Sequence, residues 1–236
     1  MRSTVSSLLL LAAVSVPALA QNISQTTVVD QSANFNLVIQ SSNQTLNGTL
    51  LGACHNGAAH EGLCITDRSV ESSSNYVSFQ FNTTRNVCTE TNSTGTFPVS
   101  CNDPPVNATV GQTGGLTWWL LYGGTASPEL RVSQAVSLAY NPTSNVAQVE
   151  VGFSENSGFS QYMAFDDKAL LNIQNYVDDT LEPGEEYLGY SKAYYSWYIC
   201  KTYYSGYRYT ALTWVLGPAP PQNPTCEKVD VKRVWV

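Results

Sequence analysis

Apolar and polar residues alternate in short runs along most of this chain, and a period of two is typical of β-strands. The clearest runs span residues 35–39, 77–81, 136–140, 149–153 and 229–235. Turn residues such as Gly, Pro and Asn separate them, as expected between strands. We therefore predict a protein of roughly ten to twelve strands with no helical domain.

Other stretches do not follow this alternation. Residues 116–122 (LTWWLLY) form a continuous apolar run, which is typical of a central strand buried on both faces. Residues 166–177 fit a short helix and an irregular strand equally well. Residues 82–113 are rich in Asn, Thr, Ser and Gly and are interpreted as a long loop.

This pattern predicts an all-β fold, with a single β-sandwich or barrel-like domain as the first choice. A β-trefoil is the alternative, because residues 35–81 fit one of its four-strand units. The sequence does not reveal two further matching units. By domain, we expect a signal peptide at 1–20, a polar N-terminal arm at 21–33 and one all-β domain at 34–236.

The strongest aromatic signal lies between Tyr187 and Trp214, which holds nine of the chain's fourteen tyrosines. Two alternating runs flank Ser205 and Gly206, so we predict a long hairpin with aromatic rings on both faces. One face must pack in a core, whereas rings on the other can stack on sugars or anchor a protein. The candidate binding residues of this hairpin are Tyr194, Trp197, Tyr198, Tyr203, Tyr204, Tyr207 and Tyr209.

The start of the chain predicts export. Arg2 precedes an apolar run at residues 8–16, and Ala18 and Ala20 form a small-x-small cleavage pattern. The apolar run is too short to span a membrane, and no other stretch is apolar enough. We therefore expect a secreted protein that is extracellular or associated with a cell wall.

The remaining chain is acidic. Without Arg2 it carries ten Lys and Arg and eighteen Asp and Glu, a net charge of −8. No basic cluster is present, so nucleic acids and anionic membranes are poor partners. The expected partner is a polysaccharide or an extracellular protein.

Six cysteines follow the signal peptide, and an even number in an exported protein indicates disulfides. Six cysteines allow fifteen pairings. Proximity in sequence favours Cys54–Cys64, Cys88–Cys101 and Cys200–Cys226. A structural metal is disfavoured because there is no C-x-x-C motif and His55 and His60 are the only histidines.

Potential N-glycosylation sites are confined to the first half of the chain. Six N-x-S/T sequons occur, at Asn22, Asn43, Asn47, Asn82, Asn92 and Asn107. Glycans at these positions would shield the N-terminal half and leave the aromatic hairpin uncovered.

No catalytic signature appears in the sequence. Acidic pairs occur at 166–167, 178–179 and 185–186, but adjacent residues on a strand point to opposite faces. We therefore favour a non-catalytic protein without a cofactor, metal or catalytic residues. The alternative is a carbohydrate-active hydrolase whose carboxylate pair the sequence does not reveal.

Three stretches carry a resemblance to a known group of proteins. They are FNLVIQSSNQTLNGTLLGACHNGAAHEGLCIT, AYNPTSNVA and ALTWVLG with PTCEKVDVKRV. Together they resemble uncharacterised secreted proteins of filamentous fungi, over most of the mature chain. The resemblance implies an extracellular or cell-wall-associated fungal glycoprotein, and it brings no catalytic residues.

Overall fold

A computed structural model describes residues 22–57, 60–66, 75–92, 95–101, 106–122, 130–153, 162–204 and 206–236. The expected signal peptide at 1–20 and Ser205 of the predicted turn lie outside these residues. The described chain contains strands, one short 3-10 turn at Asn75–Val77 and no α-helix. The prediction of an all-β fold is confirmed.

Sixteen strands are present in the described residues. The first eight are β1 (Asn22–Gln31), β2 (Phe35–Gln40), β3 (Leu50–Gly57), β4 (His60–Thr66), β5 (Phe79–Asn92), β6 (Gly95–Val99), β7 (Gly114–Leu121) and β8 (Arg131–Ala139). The second eight are β9 (Val146–Phe153), β10 (Met163–Phe165), β11 (Leu171–Val177), β12 (Tyr187–Tyr194), β13 (Trp197–Tyr204), β14 (Tyr207–Val215), β15 (Glu227–Lys228) and β16 (Asp230–Trp235).

The described residues form two compact units. The smaller unit contains the first part of β1, the second part of β5, and β6. Within it, β6 pairs antiparallel with β5 from Cys88–Val99 to Asn92–Gly95, and a disulfide joins Cys88 of β5 to Cys101, two residues after β6. The larger unit contains the remaining described residues from Val28 onwards.

In the larger unit, six strands pair in a closed ring. Strand β2 pairs with β5, β5 with β7, β7 with β10, and β10 with β11. A bridge between Leu170, the residue before β11, and Lys232 then joins this end of β11 to β16, and β16 pairs with β2 along its whole length. Antiparallel pairing at every step leaves no free edge within the ring.

Three hairpins also belong to this unit: β3–β4, β8–β9 and β13–β14. Each of them pairs with the other two, through the contacts of β4 with β14, β14 with β9, and β4 with β9. A six-strand ring with three mutually paired hairpins is the topology of a β-trefoil. The β-trefoil, which was the alternative prediction from the sequence, is therefore the arrangement that the strands adopt.

The two further four-strand units were hidden by local irregularities. The second unit runs from β7 to β10, and β10 is only three residues long. In the third unit, one strand is broken at Tyr195 and Ser196 into β12, which pairs with β11, and β13, which pairs with β14. A broken strand and a three-residue strand give little alternation to detect.

Other segments differ from the sequence interpretation. Residues 22–31, described above as part of a polar arm, form strand β1. The expected loop at 82–113 contains the rest of β5 and all of β6. The ambiguous segment at 166–177 is a turn followed by strand β11, because the Asp166 carboxylate accepts the backbone N–H groups of Lys168 and Leu170.

The core is built from the inward-facing residues of these strands. Its largest fully buried side chains include Trp118, Trp197, Phe35 and Phe79. Burying a large apolar side chain contributes about 1.5–3 kcal/mol, so each of these residues adds measurably to the stability of the larger unit. Among the described residues, no helix is long and apolar enough to cross a membrane.

Candidate binding surface

The β13–β14 hairpin is paired without a break from Trp197–Trp214 to Tyr204–Tyr207. Directly opposed residues of an antiparallel pair share a face of the sheet. The register therefore shows which aromatic residues share a face of the hairpin. It also shows how far along the hairpin each one lies from the core. The end of the hairpin near Trp197 is buried, whereas the end near Tyr207 is exposed.

Trp197 belongs to the core. Its side chain is fully buried, and its indole nitrogen donates a hydrogen bond of 2.7 Å to the backbone carbonyl of Leu171. Its ring packs edge to face against Trp214, with centroids 4.6 Å apart. The structure thus places this binding candidate where a surface ligand does not reach it, because the inner half of the hairpin covers the core.

Tyr194 and Tyr198 are half-buried and already have neighbours. Tyr194 packs against the main core, with the Lys192 ammonium 5.1 Å from its ring centroid. Tyr198 packs beside the Cys200–Cys226 disulfide, with the Lys228 ammonium 5.2 Å from its ring centroid. Both rings therefore contribute to packing within the chain.

The outer end of the hairpin carries the accessible candidates. Tyr203 and Tyr207 are each 67% exposed, and Tyr204 and Tyr209 are half-buried. Tyr204 stands directly opposite Tyr207, and Tyr209 follows two residues later on the same strand face. We call Tyr204, Tyr207 and Tyr209 the tyrosine face of the hairpin tip.

The opposite face of the tip has a different chemistry. Tyr203 stands opposite Arg208 there, and Lys201 stands opposite Thr210. A tyrosine flanked by cationic side chains and a hydroxyl offers both stacking and hydrogen-bond donors. The tip as a whole therefore presents rings on one face and a mixed polar surface on the other.

A second group of exposed tyrosines lies on the β11–β12 hairpin. Tyr176 and Tyr187 pack edge to face with centroids 5.8 Å apart, and Tyr190 is also exposed. The sequence reasoning did not select these residues as binding candidates. Tyr187 and Tyr190 lie within the aromatic stretch of the sequence, but Tyr176 does not. Tyr176 comes close to Tyr187 because its neighbour Val177 stands opposite Tyr187 in the β11–β12 pairing.

The acidic residues near these hairpins have structural partners. Asp178 accepts hydrogen bonds from the Thr180 hydroxyl at 2.6 Å and from Lys192 at 3.2 Å, and these bonds hold the pKa of Asp178 below its usual value. Asp166 accepts the Tyr195 hydroxyl at 2.9 Å. The pKa of Tyr195 is raised to about 12, mainly by burial and secondly by this hydrogen bond.

The histidines do not form a recognisable metal site in the described part of the chain. His55 is largely exposed and lies 3.4 Å from the Glu61 carboxylate, while the His60 side chain is outside the described residues. No group of three or more His, Cys, Asp or Glu among the described residues is placed to hold a metal ion. The three disulfides join Cys54–Cys64, Cys88–Cys101 and Cys200–Cys226, the sequence-neighbour pairs.

Four sequons have described side chains, and their settings differ. Asn47 and Asn107 are exposed in turns. The Asn43 amide donates to Glu227 at 2.6 Å, and its oxygen accepts from the backbone and hydroxyl of Thr45. Asn82 lies in β5 with its side-chain oxygen buried. The side chains of Asn22 and Asn92 lie outside the described residues.

Comparison with known proteins gives a family but no characterised relative. No curated protein and no solved structure matches the chain. Residues 32–235 match the family described as Domain of unknown function (DUF7907), which covers both hairpins and the whole ring. The chain therefore belongs to the DUF7907 family, an uncharacterised domain family.

Proposed function

We propose that this protein is a secreted, disulfide-bonded and N-glycosylated binding protein without catalytic activity. It works outside the cell or at the cell wall, and it binds polysaccharide through the hairpin tip. The observation that carries this proposal is the tyrosine face, where Tyr204, Tyr207 and Tyr209 share one face of a paired hairpin and Tyr207 is largely exposed.

Tyrosine rings suit this role for two physical reasons. The flat ring packs against the apolar C–H face of a sugar, and the hydroxyl exchanges hydrogen bonds with sugar hydroxyls. Tyrosine also loses little conformational entropy on binding, because it has only two side-chain torsions. Three rings on one face of the two-stranded hairpin can together contact neighbouring sugars of a polymer.

The hairpin holds these rings in place before a ligand arrives. Eight consecutive residue pairs join β13 to β14, and the Cys200–Cys226 disulfide ties β13 to the segment before β15. Asn223 adds a hydrogen bond of 3.0 Å to the Lys201 carbonyl. A pre-organised site loses less free energy on binding than a flexible one.

Export is supported by the apolar segment at 8–16 and by the three disulfides, which persist in oxidising compartments. All six sequons precede residue 110, whereas the tip lies at residues 203–209. Glycosylation at the sequons would leave the tip's own sequence unmodified.

The proposal is tested by co-sedimentation of the purified mature protein with insoluble chitin, β-glucan and cellulose. Sugar release is assayed in the same tubes. We expect retention on at least one polymer without released sugar. Released sugar would contradict the non-catalytic assignment, and absence of retention on all three polymers would contradict polysaccharide binding and leave an extracellular protein as the partner to seek.

A further inference from the structure

Arg233 points towards the interior of the six-strand ring. On β16, Val231, Arg233 and Trp235 stand opposite Ile39, Leu37 and Phe35 of β2, respectively. The three β2 residues are fully buried. Because opposed residues share a face, Arg233 occupies a position where the alternation of both strands calls for an apolar side chain.

The surroundings of the guanidinium are aromatic. Its central carbon lies 4.5 Å from the ring centroid of Phe165 and 4.4 Å from that of Trp235. Phe165 also packs edge to face against Phe35 and Phe81. The cation is attracted to the faces of these rings, but ring faces do not accept its N–H groups as an oxyanion does.

The charge of Arg233 has no counter-ion in the described part of the chain. No carboxylate lies within ion-pair distance of it there, and its Nε is buried without a hydrogen-bond partner. Burial lowers the pKa of the Arg233 guanidinium, although an arginine remains charged. Keeping a cation half-buried without a counter-ion costs free energy. The site therefore favours a ligand that carries a negative charge.

The site is open on the side of Trp235. This residue is 54% exposed and packs edge to face against Phe35, with centroids 5.6 Å apart. Four of the five arginine N–H donors are on the two Nη atoms, and a carboxylate pairs with such a fork through both oxygens. Since Nε is buried, an anion that approached from this side would use the N–H donors of Nη1 and Nη2.

We propose that Arg233 and Trp235 form a binding site for an acidic sugar, in which the Nη atoms hold the sugar carboxylate and the Trp235 ring packs on the sugar ring. The ligand class is a uronic acid, free or at the end of a chain. This site uses different residues from the hairpin tip, and it does not depend on the proposed function.

The net charge of −8 does not exclude such a ligand. Exposed charges more than about 8 Å apart are largely screened at physiological ionic strength. The contact is therefore decided by the local guanidinium, which is half-buried beside the Phe165 and Trp235 rings. A salt-dependent affinity is expected, because part of the attraction is between charges.

The experiment is a titration of the purified mature protein with glucuronate, followed by NMR of the indole N–H groups. The chain has five tryptophans, and Trp235→Phe identifies the Trp235 signal. We expect that signal to shift saturably with glucuronate and not with glucose. Acetate, which has the carboxylate without the ring, is expected to bind at least about tenfold more weakly.

Arg233→Met should bind glucuronate at least about tenfold more weakly while remaining folded, because an apolar side chain of similar size suits the buried site. Arg233→Lys keeps the charge but loses the fork and should also weaken binding. The matched control is Arg131→Met, since Arg131 stacks on Trp119 at 4.5 Å, and it should leave the affinity unchanged. Equal binding of glucose and glucuronate, or full affinity in Arg233→Met, would overturn the proposal.

Discussion

Trp197 and Trp214 stand directly opposite each other on β13 and β14, with their rings edge to face and their centroids 4.6 Å apart. This pair divides the aromatic hairpin into two parts with different roles. The residues at the Trp197 end stabilise the core, and those at the Tyr207 end are available to a ligand. The two parts are therefore expected to respond differently to substitution.

Trp197→Ala should lower the free energy of unfolding by about 3–5 kcal/mol, because it removes a fully buried ring and its hydrogen bond to Leu171. Urea denaturation followed by circular dichroism measures this change. Tyr203→Ala, at an exposed position, should change the same quantity by about 0.5 kcal/mol or less. Similar losses in the two variants would contradict the division of the hairpin.

Gly111 lies where a side chain cannot be accommodated. Its φ is +86°, and a Cβ there would lie 2.1 Å from the Phe165 carbonyl oxygen. The amide of Gln174 also holds this segment, at 2.7 Å from the Val110 carbonyl and 2.9 Å from that of Gly111. Gly111→Ala should therefore destabilise the protein by about 3 kcal/mol or more.

The matched control for this variant is Gly217→Ala. Gly217 also has a positive φ, of +67°, but a Cβ there meets nothing within 4 Å. Only the backbone strain remains, so the expected cost is about 1–2 kcal/mol. Equal thermal stability of the two variants would show that the close approach of Gly111 to Phe165 does not constrain the fold.

Removal of the Cys200–Cys226 disulfide should cost more stability than removal of Cys54–Cys64. The two bonds span 26 and 10 residues, so loop-closure entropy predicts losses of about 3.5 and about 2.7 kcal/mol for the paired alanine variants. Denaturant unfolding of both variants measures which of them loses more free energy of unfolding. A larger loss for the Cys54→Ala, Cys64→Ala protein would contradict it.

Tyr195 makes stability sensitive to alkaline pH. Its pKa is about 12 in the folded protein because of burial and the Asp166 hydrogen bond, and about 10 in an unfolded chain. The unfolded state therefore loses this proton first, and stability falls as pH rises from about 10 to about 12. Tyr195→Phe should lose less stability over this window, as measured by urea unfolding at each pH; parallel curves would contradict the assignment.

The alternation of residues was sufficient to predict an all-β fold, because buried residues such as Phe79 and Phe81 of β5 and Val231 of β16 have polar neighbours on both sides along the strand. It was not sufficient for the trefoil, since the break at Tyr195–Ser196 and the short β10 interrupt the pattern in two of the three units. Strands β1 and β6 were missed because their residues are mostly exposed, and because polar residues dominate β1 and the segment around β6.

The accessibility of the candidate binding residues was predictable only in part, for a related reason. Alternation shows which residues share a face, but it does not show where along a hairpin the core ends. Trp197 and Tyr207 have similar sequence surroundings, yet one is buried and the other exposed. Arg233 was not singled out at all, because its inward position follows from the long-range register of β16 with β2.

The most direct test of the central claim is the affinity of hairpin variants for the polymer that retains the wild-type protein. Tyr207→Ala with Tyr209→Ala should weaken retention by about tenfold or more, because two rings of the tyrosine face are lost. Tyr176→Ala with Tyr187→Ala, which removes the other exposed pair, should retain wild-type affinity. Unchanged retention of the first variant, or equal loss in both, would contradict binding by the hairpin tip.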